Sequence, residues 1–191
     1  LRVSSDNSAE DLSPLSFTIL ELLKMNDEKP IEGKVAFQKE MFLISNYIEK
    51  VNEWAEFGPH YLGPYSETSE ASMDNLVSMG LVEEKEDYTY KITSSGIRAL
   101  DLKQDLFSSE EKGAIADFKK FISNLTDDEI LLFMYASYPG FTIESIKYRA
   151  IIKSRVEHSI SIYKKGVVSL EKAAFLAGVN IETFLDLQEE E

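Results

Sequence analysis

A chain of 191 residues with 43% apolar side chains is long enough for one large domain or two small ones, each with its own core. The absence of cysteine excludes disulfides, thiol nucleophiles and Cys-based metal sites. The formal charge of −14 is unevenly spread, and its distribution decides which surfaces could meet a polyanion.

Residues 1–105 carry 10 basic against 20 acidic side chains, and residues 106–141 carry 3 against 6. Residues 142–175 reverse the sign with 7 against 3, and residues 176–191 hold five acids and no base. No apolar run approaches a membrane span and no leader pattern opens the chain, so a cytoplasmic protein without membrane contact is expected.

In chain order, Ser13-Pro14 predicts a helix start, with a capping hydroxyl followed by Pro at the first helical position. Leu15, Ile19, Leu20, Leu22 and Leu23 give that helix an apolar face to about Met25, and residues 26–30 read as a loop. A second helix follows, with Phe37, Met41, Phe42, Ile44 and Ile48 at helical intervals. The two Gly-Pro pairs between Gly58 and Ser66 predict a rigid turn, because Pro fixes φ and Gly relaxes it. Ser66 is placed to cap a helix running to about Met79, with Gly80 as its stop. Leu81-Val82 and residues 88–93 then read as two strands around a charged tip.

Beyond residue 105 the pattern is wholly helical. Ser108 with Glu111, and Thr126 with Glu129, have capping-box spacing. One long helix is expected from about Thr142 to Lys165, with Ile143, Ile146, Ala150, Ile151 and Ile160 on one side and Gly166 as its stop. In the tail, Ser169 and Asn180 are placed as caps around a turn at Gly178. The expected fold is therefore mainly α. It has an N-terminal winged helix-turn-helix with a two-stranded wing over residues 1–105. An all-helical extension over residues 106–191 ends in a helix-turn-helix-like tail.

Lys34 to Leu100 resembles the Panacea domain, the SocA-type antitoxin fold. Phe37-Gln38-Lys39, Met41-Phe42-Leu43, Gly63-Pro64-Tyr65-Ser66, Gly80-Leu81-Val82, Ile92-Thr93 and Gly96 carry that resemblance. Residues 161–187 resemble the C-terminal half of a small, poorly characterised prokaryotic antitoxin family. That match rests on Tyr163-Lys164-Lys165-Gly166, Ser169-Leu170, Ala173-Ala174, Ala177-Gly178-Val179 and Phe184-Leu185. Both resemblances imply a regulatory or toxin-neutralising protein, and neither supplies a catalytic residue.

A winged helix suggests DNA, but the candidate recognition helix opposes it. Major-groove readout draws on Arg, Lys, Asn or Gln, whereas this helix bears Glu67, Glu70 and Asp74 and no base. These three acids, with Tyr61 and Tyr65 on the preceding turn, form the expected protein-binding set, because Tyr offers apolar area and a hydroxyl at small entropic cost. The alternative set, for phosphate contact, is Lys147, Arg149, Lys153, Arg155, Lys164, Lys165 and Lys172. The two histidines, His60 and His158, lie in different segments, and no phosphate loop or nucleophile elbow occurs, so no catalytic, metal or cofactor site is expected. The expectation is a non-catalytic regulator of antitoxin-like type that binds a protein partner and forms a homodimer. Its alternative is a DNA-binding regulator using the helix over residues 142–165.

Overall fold

The computed structural model describes residues 12–102 and 106–189, which form eleven α-helices and five short strands. The protein is mainly helical with a small antiparallel sheet, as the periodicities predict. Among the described residues no helix is long and apolar enough to cross a membrane. The chain divides into two compact units, one built from the segment up to Phe57 and from Ser66–Lys120, the other from Gly58–Tyr65 and from Phe121 onward. The division expected at 105/106 borders residues 103–105, which lie outside the described residues.

In the first unit, α1 (Pro14–Glu28) starts as predicted, with the Ser16 amide donating to Ser13 Oγ at 3.1 Å. Its leucines and Ile19 are buried. The backbone leaves the helix at Met25, and Asn26, Asp27 and Glu28 all take positive φ, at 55°, 55° and 57°. Non-glycine residues occupy that region only when their surroundings enforce it. The enforcing element is α6 (Ser109–Ile122), whose Lys119 Nζ donates to the Leu23 and Met25 carbonyls at 2.9 Å each. Asn26 Nδ2 donates in turn to the Ala116 carbonyl at 3.0 Å.

The chain continues through β1 (Ile31–Glu32), α2 (Gly33–Tyr47) and α3 (Glu49–Ala55) to α4 (Glu67–Ser78), β4 (Val82–Glu84), β5 (Thr89–Ile92) and α5 (Ser94–Asp101). Strand β1 is too short to leave a periodicity in the sequence. Only its antiparallel pairing with β5, Ile31 opposite Tyr90, reveals it, and the sheet order is β1-β5-β4. Ser66 caps α4 through its hydroxyl, which accepts from the Ser69 amide at 2.9 Å. The side chain of Gln38 locks that cap in place, accepting from the Ser66 amide at 2.9 Å and donating to its carbonyl at 3.1 Å. Gly96 must be glycine, because a Cβ there would strike the Leu81 carbonyl oxygen and Ile92 Cγ1.

Buried beneath this unit are Glu40 and Lys119, each 1% exposed. Burial pushes the Glu40 carboxyl well above its ordinary value, against the pull of Lys119. Burial likewise lowers the Lys119 ammonium to about 8, opposed by Glu40. A carboxyl with a raised folded pKa binds more protons in the folded state, so it withdraws stability as pH rises above about 4.5. Glu40→Gln removes that loss. The stability of the variant relative to the parent therefore grows as pH rises above about 4.5, until the folded carboxyl is fully ionised. Urea unfolding at a series of pH values measures it, and a difference that does not change with pH would refute this account.

The second unit begins with a hairpin where the sequence suggests only a rigid turn: β2 (Gly58–His60) pairs with β3 (Gly63–Tyr65) across a two-residue loop. Pro59 faces Pro64. Adjacent pairs alternate between bonded and non-bonded, so this register puts both prolines where no amide donor is needed. The helices α7 (Asp127–Ser137), α8 (Tyr148–Lys153), α9 (Arg155–Lys164), α10 (Leu170–Ala177) and α11 (Ile181–Glu189) complete the unit.

The single helix expected from Thr142 to Lys165 is not formed. Residues 142–147 are irregular, and Ser154, at φ −98° and ψ 18°, separates α8 from α9. Two contacts hold the irregular stretch away from a helical path. The Ile146 amide donates to the Tyr61 carbonyl at 3.1 Å, and Tyr135 Oη lies 2.6 Å from Ser145 Oγ. Ile143 and Ile146, expected on the apolar face, are consequently 77% and 76% exposed. Only Ile151 and Ile160 of that face are fully buried.

Candidate functional site

The five residues expected to bind a partner do not share one compact unit. Glu67, Glu70 and Asp74 belong to α4 in the first unit, and Tyr61 and Tyr65 belong to the β2–β3 hairpin in the second.

On α4, Glu67 and Asp74 are exposed. Glu70 is held by Lys34, whose Nζ donates to its carboxylate at 2.5 Å while lying 4.6 Å from the centre of the Tyr88 ring. The hydrogen bond to Glu70 raises the pKa of Lys34. Lys34 is thereby paired with Glu70, and Glu67 and Asp74 remain exposed on the helix. The tip between β4 and β5 extends this character, with Glu83, Glu84, Glu86 and Asp87 exposed beside Lys85. Asp87 Oδ1 accepts from the Thr89 amide at 3.2 Å, which shapes the tip, and hydrogen bonding to the Thr89 side chain and then to its amide lowers the Asp87 pKa. The surface is therefore repulsive to phosphates and attractive to a basic protein face.

On the hairpin, His60 is a packing residue. Its ring stacks on Tyr65 at 4.5 Å with 22° between planes and meets Tyr61 at the same distance. Tyr61 is 57% exposed at the tip, and Tyr65 is half-buried.

Four of the seven bases expected to contact phosphates are engaged in holding the second unit together. Arg155 donates to the Leu176 carbonyl at 2.8 Å and the Phe175 carbonyl at 3.2 Å, closing the C-terminus of α10. Lys165 donates to Glu129 at 2.5 Å, and Lys147 reaches Asp128 at 3.2 Å. Lys172 donates to Ser137 Oγ at 2.9 Å and lies over the rings of Phe133 and Phe175. Arg149, Lys153 and Lys164 alone remain exposed without such a bond.

Sequence reasoning missed the exposure of Tyr61, Ile143, Ile146 and Tyr148, of which Tyr61 and Ile146 are joined by a backbone hydrogen bond. Isoleucines at helical spacing read as core, and nothing in the sequence signals that this stretch leaves the helix. Phe175, Ile181 and Leu185 are a second exposed apolar group, on α10 and α11. No family model matches the chain, and no curated protein is similar to it in sequence.

Proposed function

We propose that this chain is a non-catalytic regulatory protein that binds another protein through an acidic winged-helix scaffold, in an antitoxin-like role. The order helix, short strand, two helices, recognition-position helix and two-stranded tip in the first unit supports the scaffold, with β1 completing the sheet beside β5. The resemblance over Lys34 to Leu100 supports the antitoxin-like role. One observation carries the reading. The helix that would enter a DNA groove presents Glu67 and Asp74 and no base, and Lys34 is paired with its Glu70. Such a surface suits a basic partner, such as a nucleic-acid-binding face on a toxin, and long-range attraction speeds their encounter.

The alternative, a DNA-binding regulator, draws on the basic stretch over residues 142–165, and the engagement of Arg155, Lys165 and Lys147 in internal bonds weighs against it. Fluorescence anisotropy with a mixed-sequence DNA duplex at about 50 mM salt separates the two. The expected result is no binding by the parent, with affinity gained by Glu67→Lys/Asp74→Lys. Submicromolar, salt-sensitive binding by the parent that Arg149→Glu/Lys153→Glu abolishes would overturn the proposal.

A further inference from the structure

The second unit displays two exposed faces that match in chemistry. One is apolar with a basic end: Ile143 and Ile146 are 77% and 76% exposed, Tyr61 is 57% exposed, and Arg149 and Lys153 are exposed one turn apart on the following α8, with Glu144 the one acid of the segment. This face is pinned by the Ile146-to-Tyr61 backbone bond, the Tyr135–Ser145 hydroxyl contact and the 5.7 Å approach of the Tyr135 and Tyr148 rings. Its apolar side chains are thus held outward on a built surface, so exposure costs little further ordering on binding.

The other face is apolar and acidic. On α11, Phe184 is buried and anchors the helix, while Ile181 and Leu185, one turn apart, point away from the core at 40% and 42% exposure. Glu182, Asp186 and Glu189 flank them, and the helix carries no base.

We propose that a second copy of this chain covers both faces: α11 of each protomer docks on the Ile143-to-Lys153 segment of the other. Ile181 and Leu185 would meet Ile143, Ile146 and Tyr61 of the second protomer, and Glu182 and Asp186 would meet its Arg149 and Lys153. With both contacts formed between the same two protomers, the pair is two-fold symmetric and closed. Charge sign selects a second copy as the occupant. In a chain of net charge −14, residues 142–175 are the one net-basic stretch, and the tail beyond them is purely acidic. The proposal does not depend on the acidic α4 surface and stands or falls without a foreign partner.

Sedimentation equilibrium of the purified full chain tests it. The parent should dimerise, and Ile146→Asp or Leu185→Arg should each weaken the dimer at least tenfold. All the substituted side chains are exposed, and circular dichroism verifies that each variant is folded. Arg149→Glu/Lys153→Glu and Glu182→Lys/Asp186→Lys should each be monomeric alone, because like charges then face each other. Mixed in equal amounts they should form a heterodimer, since every charged contact regains opposite signs. A parent that stays monomeric at about 100 μM, a dimer untouched by Ile146→Asp and Leu185→Arg, or reversed chains that fail to pair on mixing would overturn the proposal.

Discussion

Phe184→Ala lowers the unfolding free energy by about 3–5 kcal/mol, the range for deleting a fully buried aromatic side chain. Phe184 is 0% exposed and fills the space beside Ile160, Ala173, Ala174 and Ala177. Its ring meets Tyr163 edge-on at 5.8 Å and 87°. Three of its buried neighbours are alanines, too short to fill the hole, and Tyr163, Leu170 and Leu187 are only partly buried at the edge of the cluster. The Asn180 cap, accepting from the Thr183 amide at 2.8 Å, would remain but cannot hold α11 in place alone. Hydrogen exchange should therefore show the α11 amides losing protection first, and self-association through this helix should vanish with them. Denaturant unfolding measures the loss, and a change below about 1 kcal/mol would mean that Phe184 is not the anchor described.

Glu129→Ala costs about 3 kcal/mol near neutral pH, toward the lower end for breaking a buried, hydrogen-bonded charge pair because Lys165 keeps partial access to water. Glu129 is 2% exposed and ties α7 to α9 and its C-terminal cap. Its Oε2 accepts from the Thr126 amide at 2.7 Å, completing the capping box of α7, and from Lys165 Nζ at 2.5 Å. Its Oε1 accepts from Ser161 Oγ at 2.6 Å. Burial opposes ionisation of this carboxyl, but Lys165, Ser161 and the Thr126 amide together hold its pKa below the ordinary value. A depressed folded pKa supplies stability that is complete above about 4.5 and lost as pH falls through the folded value. The gap between parent and variant should accordingly close in acid. Glu129→Gln should retain part of the stability, since its amide oxygen can still accept. Urea titrations at pH values from about 7 to about 3 would show this, and a gap that persists unchanged in acid would sink the electrostatic account.

The helix starts were the most legible feature of this chain. Ser13, Ser66, Thr126, Ser169 and Asn180 all cap where their positions predict, because a cap is a bond between residues three apart and depends little on the rest of the fold. The mainly helical class and the apolar faces of α1 and α2 follow equally from local periodicity. The opposite held for residues 142–165. Ile143 and Ile146 have helical spacing, yet hydrogen bonds from Ile146 to Tyr61 and between Tyr135 and Ser145 take the chain off the helical path. Tyr61 lies far away in sequence, so no window around Ile146 could contain that information.

The sequence by itself determined the charge map, the lack of thiol chemistry and the helix caps at Ser13, Ser66, Thr126, Ser169 and Asn180, all of which are set by residue identity or by neighbours within one turn. Tertiary structure alone decided which charges are free. Lys34, Lys147, Arg155, Lys165 and Lys172 count as bases in composition but are each bonded to a residue at least 19 positions away that only folding brings near. It alone also turned two isoleucines outward, because exposure is a property of the path the backbone takes and of the distant groups that hold it there.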